Sequence, residues 1–156
     1  MVARMPNILV KIPADTFDGA ARAALARRMT EAAALAEQIP EDPRKRLTTW
    51  VVVEEVAAGA WWCGGADLSA QIVPCLAVVY VPAGVLDADA RALFVQQMHD
   101  AFAQTLPAAD RRRTVTSVVL HDVADGTWGV NGALWMLPDF ARASGYAHLQ
   151  HLAAHA

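Results

Sequence analysis

The chain is short of cysteine, of net charge and of long apolar runs, and each shortage closes off a class of protein. Only Cys63 and Cys75 occur in 156 residues. That is too few for a disulfide framework, and they lack the close CxxC spacing of a metal or redox site. Both read as reduced, buried thiols of a cytoplasmic protein. The formal net charge is −3, without the basic face that a nucleic-acid partner requires. The start, Met1-Val2-Ala3-Arg4-Met5-Pro6, has no apolar stretch of signal-peptide length. The run after it is only strand-length, so neither a signal peptide nor a membrane span is expected. Charged residues are scarce too, 19% against 55% apolar. A domain of this size buries roughly 70% of its unfolded surface, and so apolar a composition points to further burial in an oligomer.

What the chain has is repetition. Val53-Glu54-Glu55-Val56 and the following Gly59, Trp61, Gly64 and Gly65 lie over Leu120-His121-Asp122-Val123 and Gly126, Trp128, Asn131 and Gly132. Arg44-Lys45-Arg46 meets Arg111-Arg112-Arg113 in the same register. Shifted by two residues, Pro13, Asp18, Arg22 and Met29 meet Pro82, Asp87, Arg91 and Met98. Self-similarity on this scale marks a duplicated supersecondary unit.

Within the first copy, the β-branched run 7–12 predicts a strand ended by Pro13. Asp18 is a good N-cap for a helix reaching about Gln38, with Ala21, Leu25, Met29, Ala32 and Ala33 on one face. Pro40 and Pro43 close it, and Thr48 to Glu55 reads as a second strand continuous enough to be buried on both faces. The second copy repeats the order, with strands at 76–81 and 115–120 and a helix capped by Asp87 and running to about Thr105. Strand, helix and strand at this spacing imply a parallel pair with a right-handed crossover. The segments 59–65 and 126–132 read as short hairpins. The organisation is therefore a first β-α-β repeat at 6–73, a second at 74–136 and a helical tail at 137–156.

Met5-Pro6 at the head of the first strand, the helix of about five turns, and the duplicated acid-x-x-x-Gly-x-aromatic hairpin together resemble the tautomerase superfamily, built from the β-α-β unit of 4-oxalocrotonate tautomerase. Two units in tandem resemble its fused, trimer-forming branch, which includes the cis-3-chloroacrylic acid dehalogenase-like and malonate semialdehyde decarboxylase-like groups. The resemblance covers roughly residues 5 to 135. It implies an α+β fold in which the two units form one four-stranded sheet with two helices on one face. It also implies a cytoplasmic, cofactor-independent enzyme, assembled as a homotrimer and acting on a small 2-oxo or enol carboxylic acid. A catalytically silent binding protein of the same fold, a decarboxylase or hydratase of the superfamily, and an unrelated ferredoxin-like dimer are the competing readings.

The family's base is an N-terminal proline, whose secondary amine loses basicity in an apolar pocket near cations and can then shuttle a proton. Here that residue is Pro6, provided that translation begins at Met5 and the methionine is removed. Pro74, its near-equivalent in the second copy, is internal and has no amine to offer. The family's carboxylate-gripping arginines fall on Thr16, Trp50, Val85 and Ser117, none of them basic. Arg46 and Arg113, at the ends of the basic triplets nearest the second strands, are the substitutes expected; a solvated turn is the alternative for both. Trp50, Trp61 and Trp128 are the expected apolar walls, or else ordinary core. His121-Asp122 reads as a relay or a structural pair. His148, His151 and His155 share a face of the tail without a carboxylate or cysteine, so no metal is expected.

Overall fold

The computed structural model describes residues 6–154. Each repeat forms as its sequence directs. In the first, strand β1 (Asn7–Pro13) leads to helix α1 (Gly19–Glu37), a single turn α2 (Pro43–Arg46) and strand β2 (Trp50–Val56). In the second, β3 (Ile72–Pro82) leads to α3 (Ala88–Thr105) and β4 (Arg113–Val123). The two long helices start on the same device. The Asp18 carboxylate accepts the Ala21 N–H at 2.7 Å, and Asp87 accepts the Ala90 N–H at 2.8 Å, satisfying donors that a helix start leaves orphaned.

The strands join in one sheet of order β2-β1-β3-β4. Each repeat contributes a parallel pair, and β1 runs antiparallel to β3 where the repeats meet. In that central ladder Leu9 faces Val78, and Asn7 faces Tyr80 as Lys11 faces Leu76. Adding the repeat offset to one pair generates the other, so a local two-fold axis passes beside Leu9 and Val78. An ion pair obeys the same symmetry: Arg22 reaches Glu55 at 3.0 Å, and Arg91 reaches Asp122 at 2.6 Å.

Strand alternation decides the two faces. Ile8, Val10 and Ile12 of β1 and Val73, Cys75, Ala77, Val79 and Val81 of β3 are buried beneath Leu25 and Met29 of α1 and Phe94, Met98 and Phe102 of α3. Among the described residues no helix covers the opposite face, and its apolar side chains stand open: Leu9 is 43% exposed, Val52 42%, Val115 42% and Val119 46%.

Three expectations need correction. β2 is not covered on both faces, because it is an edge strand with only one face toward a helix. β3 and β4 each span eleven residues, longer than the six-residue runs visible as apolar sequence; Arg113, Thr114, His121 and Asp122 extend the ladder through backbone bonds despite their polarity. Only the second glycine-rich segment makes a ladder, between β5 (Trp128–Val130) and β6 (Ala133–Trp135). Its turn, Asn131-Gly132, has φ of 51° and 85°, as a type I′ turn demands. Gly64-Gly65 makes the matching turn, at φ 59° and 81°, but closes a single bridge between Cys63 and Ala66.

The tail is helical yet broken, with α4 (Leu137–Ser144), a 3-10 turn (Ala147–Leu149) and α5 (Gln150–Ala153). It is tied to both repeats. The Leu137 N–H donates to Asp125 at 2.7 Å, while Lys45 Nζ donates to the Arg142 carbonyl at 2.6 Å and the Ala147 N–H to Gln38 at 2.9 Å.

Candidate functional site

The antiparallel join of the repeats creates two related ends of the sheet. Each is built from the head of one repeat's first strand and the last residues of the other's. Pro6 lies at one end and Pro74 at the other. β1 between them spans seven residues, or roughly 20 Å at about 3.3 Å per residue.

At the first end Pro6 is buried, and its carbonyl accepts the Trp50 N–H at 2.8 Å. Trp50, the opening residue of β2 and opposite Asn7 in the ladder, is 40% exposed. Arg46 closes α2 just upstream, its Nε 3.3 Å from the Pro40 carbonyl. Val85 is buried here, with its carbonyl 2.7 Å from His148 Nε2. Trp128 reaches the same end, but the tail takes it up: its ring lies 5.6 Å from that of Phe140, which also meets Trp135 at 5.2 Å. Met5 lies outside the described residues.

At the other end the same geometry leaves an opening. A cavity of about 130 Å³ is lined by Pro13, Thr16, Trp61, Cys63, Pro74 and Arg112, with Val56, Leu68 and Ile72 adding apolar wall. Its origin is local. β3 outruns its antiparallel partner, whose pairing stops at Lys11–Leu76. Pro74 therefore sits where the missing N–H breaks no ladder bond on that side, and β1 turns away at Pro13. Trp61 is thus separated from Pro6 by the length of β1, and Arg113, the first residue of β4, is exposed on this side.

Arg112, between the two arginines of its triplet, was not singled out by the sequence, yet it is the one that enters the cavity wall. Its Nε and Nη2 grip Asp110 at 3.0 and 2.6 Å, and Nη1 donates to the Ser69 carbonyl at 3.0 Å. Nη2 also lies 3.4 Å from Thr16 Oγ1. A guanidinium from the second repeat thus arrives beside Thr16, which is itself uncharged. The pairing holds the Asp110 carboxyl below its usual range and raises Arg112. The signal was an Asp two residues ahead of an Arg, the spacing of an Asx turn: the Arg112 N–H donates to Asp110 at 3.0 Å. Asp42 and Arg44 repeat it on open surface.

Other polar candidates separate. Asp122 pairs with Arg91, while His121 stacks on Tyr80 with centroids 5.3 Å apart, so the two do not form a pair. Cys75 is buried and its thiol pushed up to about 12 by burial, whereas Cys63 is only half-buried. His151 is exposed and His155 lies outside the described residues. Among the described residues no cluster of three metal-ligating side chains occurs, and no helix is long and apolar enough to cross a membrane.

No protein-family model matches the sequence, and no curated protein matches it. Solved structures do. A symmetric trimer of a wild-type fused 4-OT is 20% identical over 90% of this chain and 98% of its own, with a TM-score of 0.65. An asymmetric fused 4-OT trimer is 19% identical, covering 82% and 94% at the same score. A member of the cis-3-chloroacrylic acid dehalogenase family is 18% identical over 95% and 99%, again at 0.65. At these identities the likeness is one of fold: the chain has the tautomerase-superfamily fold in its fused, two-repeat form.

Proposed function

We propose that the chain is a cofactor-independent tautomerase-like enzyme, acting as a homotrimer on a small 2-oxo or enol carboxylic acid, with Pro6 as its acid–base group when translation begins at Met5 and that methionine is removed. The observation that carries this reading is the seating of Pro6. It immediately precedes a central strand, is buried, and has its carbonyl tied to β2 through Trp50. A chain that begins there carries a secondary amine fixed by the ladder in an apolar setting, where desolvation lowers its basicity toward neutral pH. The neutral amine takes a proton from an enol hydroxyl or a carbon beside the carbonyl, and the ammonium returns it at the other position. Trp50 walls this end, and Arg46 is the nearest cation upstream of it. The trimer is supported by the helix-free apolar face and by the assemblies described for the fused 4-OT structures.

Two measurements test it together. Intact mass of the protein produced from its native gene should give a chain starting at Pro6. Pro6→Ala should then lose about a hundredfold or more in ketonisation of phenylenolpyruvate, with its circular dichroism unchanged. A chain that keeps residues 1–5, or an alanine variant with wild-type turnover, defeats the reading. One observation favours a second reading, a silent binding protein of the same fold: a cavity walled by Trp61 lies at the Pro74 end, where the proline nitrogen is a backbone amide.

A further inference from the structure

We propose that the cavity at the Pro74 end is a binding site for a small neutral molecule with a benzene-sized apolar body and one carbonyl oxygen, seated independently of any chemistry at Pro6. Size sets the body. A cavity of about 150 Å³ takes benzene, and this one measures about 130 Å³. Trp61, Pro13, Pro74, Val56, Leu68 and Ile72 supply an apolar, partly flat wall.

The polar groups set the head. Thr16 is 8% exposed, and its Oγ1 accepts weakly from Arg112, leaving its own proton to donate. Arg112 has five N–H donors. Four are engaged by Asp110, Ser69 and Thr16, and one on Nη1 has no acceptor among the described residues. A hydroxyl and a single N–H suit one carbonyl oxygen, whereas a carboxylate asks for a bidentate fork that is already spent on Asp110.

Charge sets the selectivity. Arg112 is offset by Asp110 behind it, and Asp67 puts a carboxylate in the wall itself, held below its usual range chiefly by the Ser69 backbone N–H. With Asp110 counted behind the wall, two carboxylates stand against one guanidinium, and a ligand anion entering meets repulsion rather than a grip. This is the opposite preference to the acid proposed for Pro6.

Benzamide and benzoate are matched probes, alike in shape and different in charge. Calorimetry on the full chain should find benzamide in about the millimolar range expected of so small a ligand, with benzoate at least about tenfold weaker when its binding is read by protection of Cys63. Benzamide should slow alkylation of Cys63, which lines the same cavity. Thr16→Val, a near-isostere, should weaken benzamide about fivefold. Asp110→Asn should free the guanidinium fork and bring benzoate level with benzamide or better. Pro6→Ala should bind both as the parent does, which keeps this result apart from the fate of Pro6. The proposal is overturned if benzamide does not bind, if benzoate protects Cys63 of the parent chain as well as benzamide does, or if bound benzamide neither protects Cys63 nor responds to Thr16→Val. A Pro6→Ala variant that loses benzamide binding would also move the site to the other end and end the proposal.

Discussion

Glu37 is the residue most at odds with its surroundings. It is fully buried at the end of α1, Oε1 accepts the Tyr146 hydroxyl at 3.2 Å, and Oε2 has no partner among the described residues. Burial pushes its carboxyl well above the usual range, against the smaller opposing effect of Tyr146. The folded state therefore holds a proton that the unfolded chain releases near about pH 4.3. Stability from this group is fully present below that pH and is lost as pH rises toward the folded value. Urea unfolding at pH 5 and pH 8 should show the parent losing stability across the interval and Glu37→Gln losing distinctly less; equal losses would contradict the assignment. The arginines make a second prediction at this scale. Arg46 closes α2 at the Pro6 end and Arg113 opens β4 at the other. For a carboxylate substrate turned over at Pro6, Arg46→Ala should lower kcat/KM about ten- to a hundredfold, while Arg113→Ala should stay within about twofold. Steady-state kinetics on both variants would decide between a grip and a solvated turn.

At the scale of elements, the repeat is a matter of equivalent caps and equivalent ion pairs. Asp18→Ala and Asp87→Ala should each destabilise the fold by about 1 kcal/mol, read as a shift in the urea midpoint with little change in slope. A much larger loss at one site would show that the two helices are not held alike. The helices were legible because capping and apolar spacing are local. The edge position of β2 was not: Thr48 to Glu55 carries the same apolar residues whether one or two faces are covered. The hairpins divided for a related reason. Both segments have the residues for a type I′ turn, but only after Asn131-Gly132 does a ladder form, with Trp128 and Trp135 meeting Phe140 of α4.

At the scale of the whole molecule, the open sheet face governs assembly. Leu9, Val52, Val115 and Val119 form an apolar surface that no helix among the described residues covers, and the proposed trimer buries it. Val119→Glu would place an unpaired carboxylate in that interface, at a cost of about 3–5 kcal/mol if fully buried. Light scattering should give a trimer for the parent and a monomer for the variant. A monomeric parent at micromolar concentration would remove the trimer from the proposal.

The sequence by itself determined the duplication, the two β-α-β units and their caps, since each rests on neighbours within a few residues or on the repeat offset. It also singled out Pro6 and the tryptophans as residues to place. Tertiary structure alone decided how these residues are grouped. Because β1 and β3 pair antiparallel, the head of one repeat meets the end of the other, and Trp61 is carried away from Pro6 to face Pro74 and Arg112. The tail then breaks the symmetry, packing Phe140 on Trp128 at the first end, whereas Trp61 at the second lines a cavity. Which arginine enters that cavity depended on a backbone turn at Asp110 and on a strand from the other repeat. No spacing within the triplet encodes contacts between parts of the chain that meet only when the sheet closes.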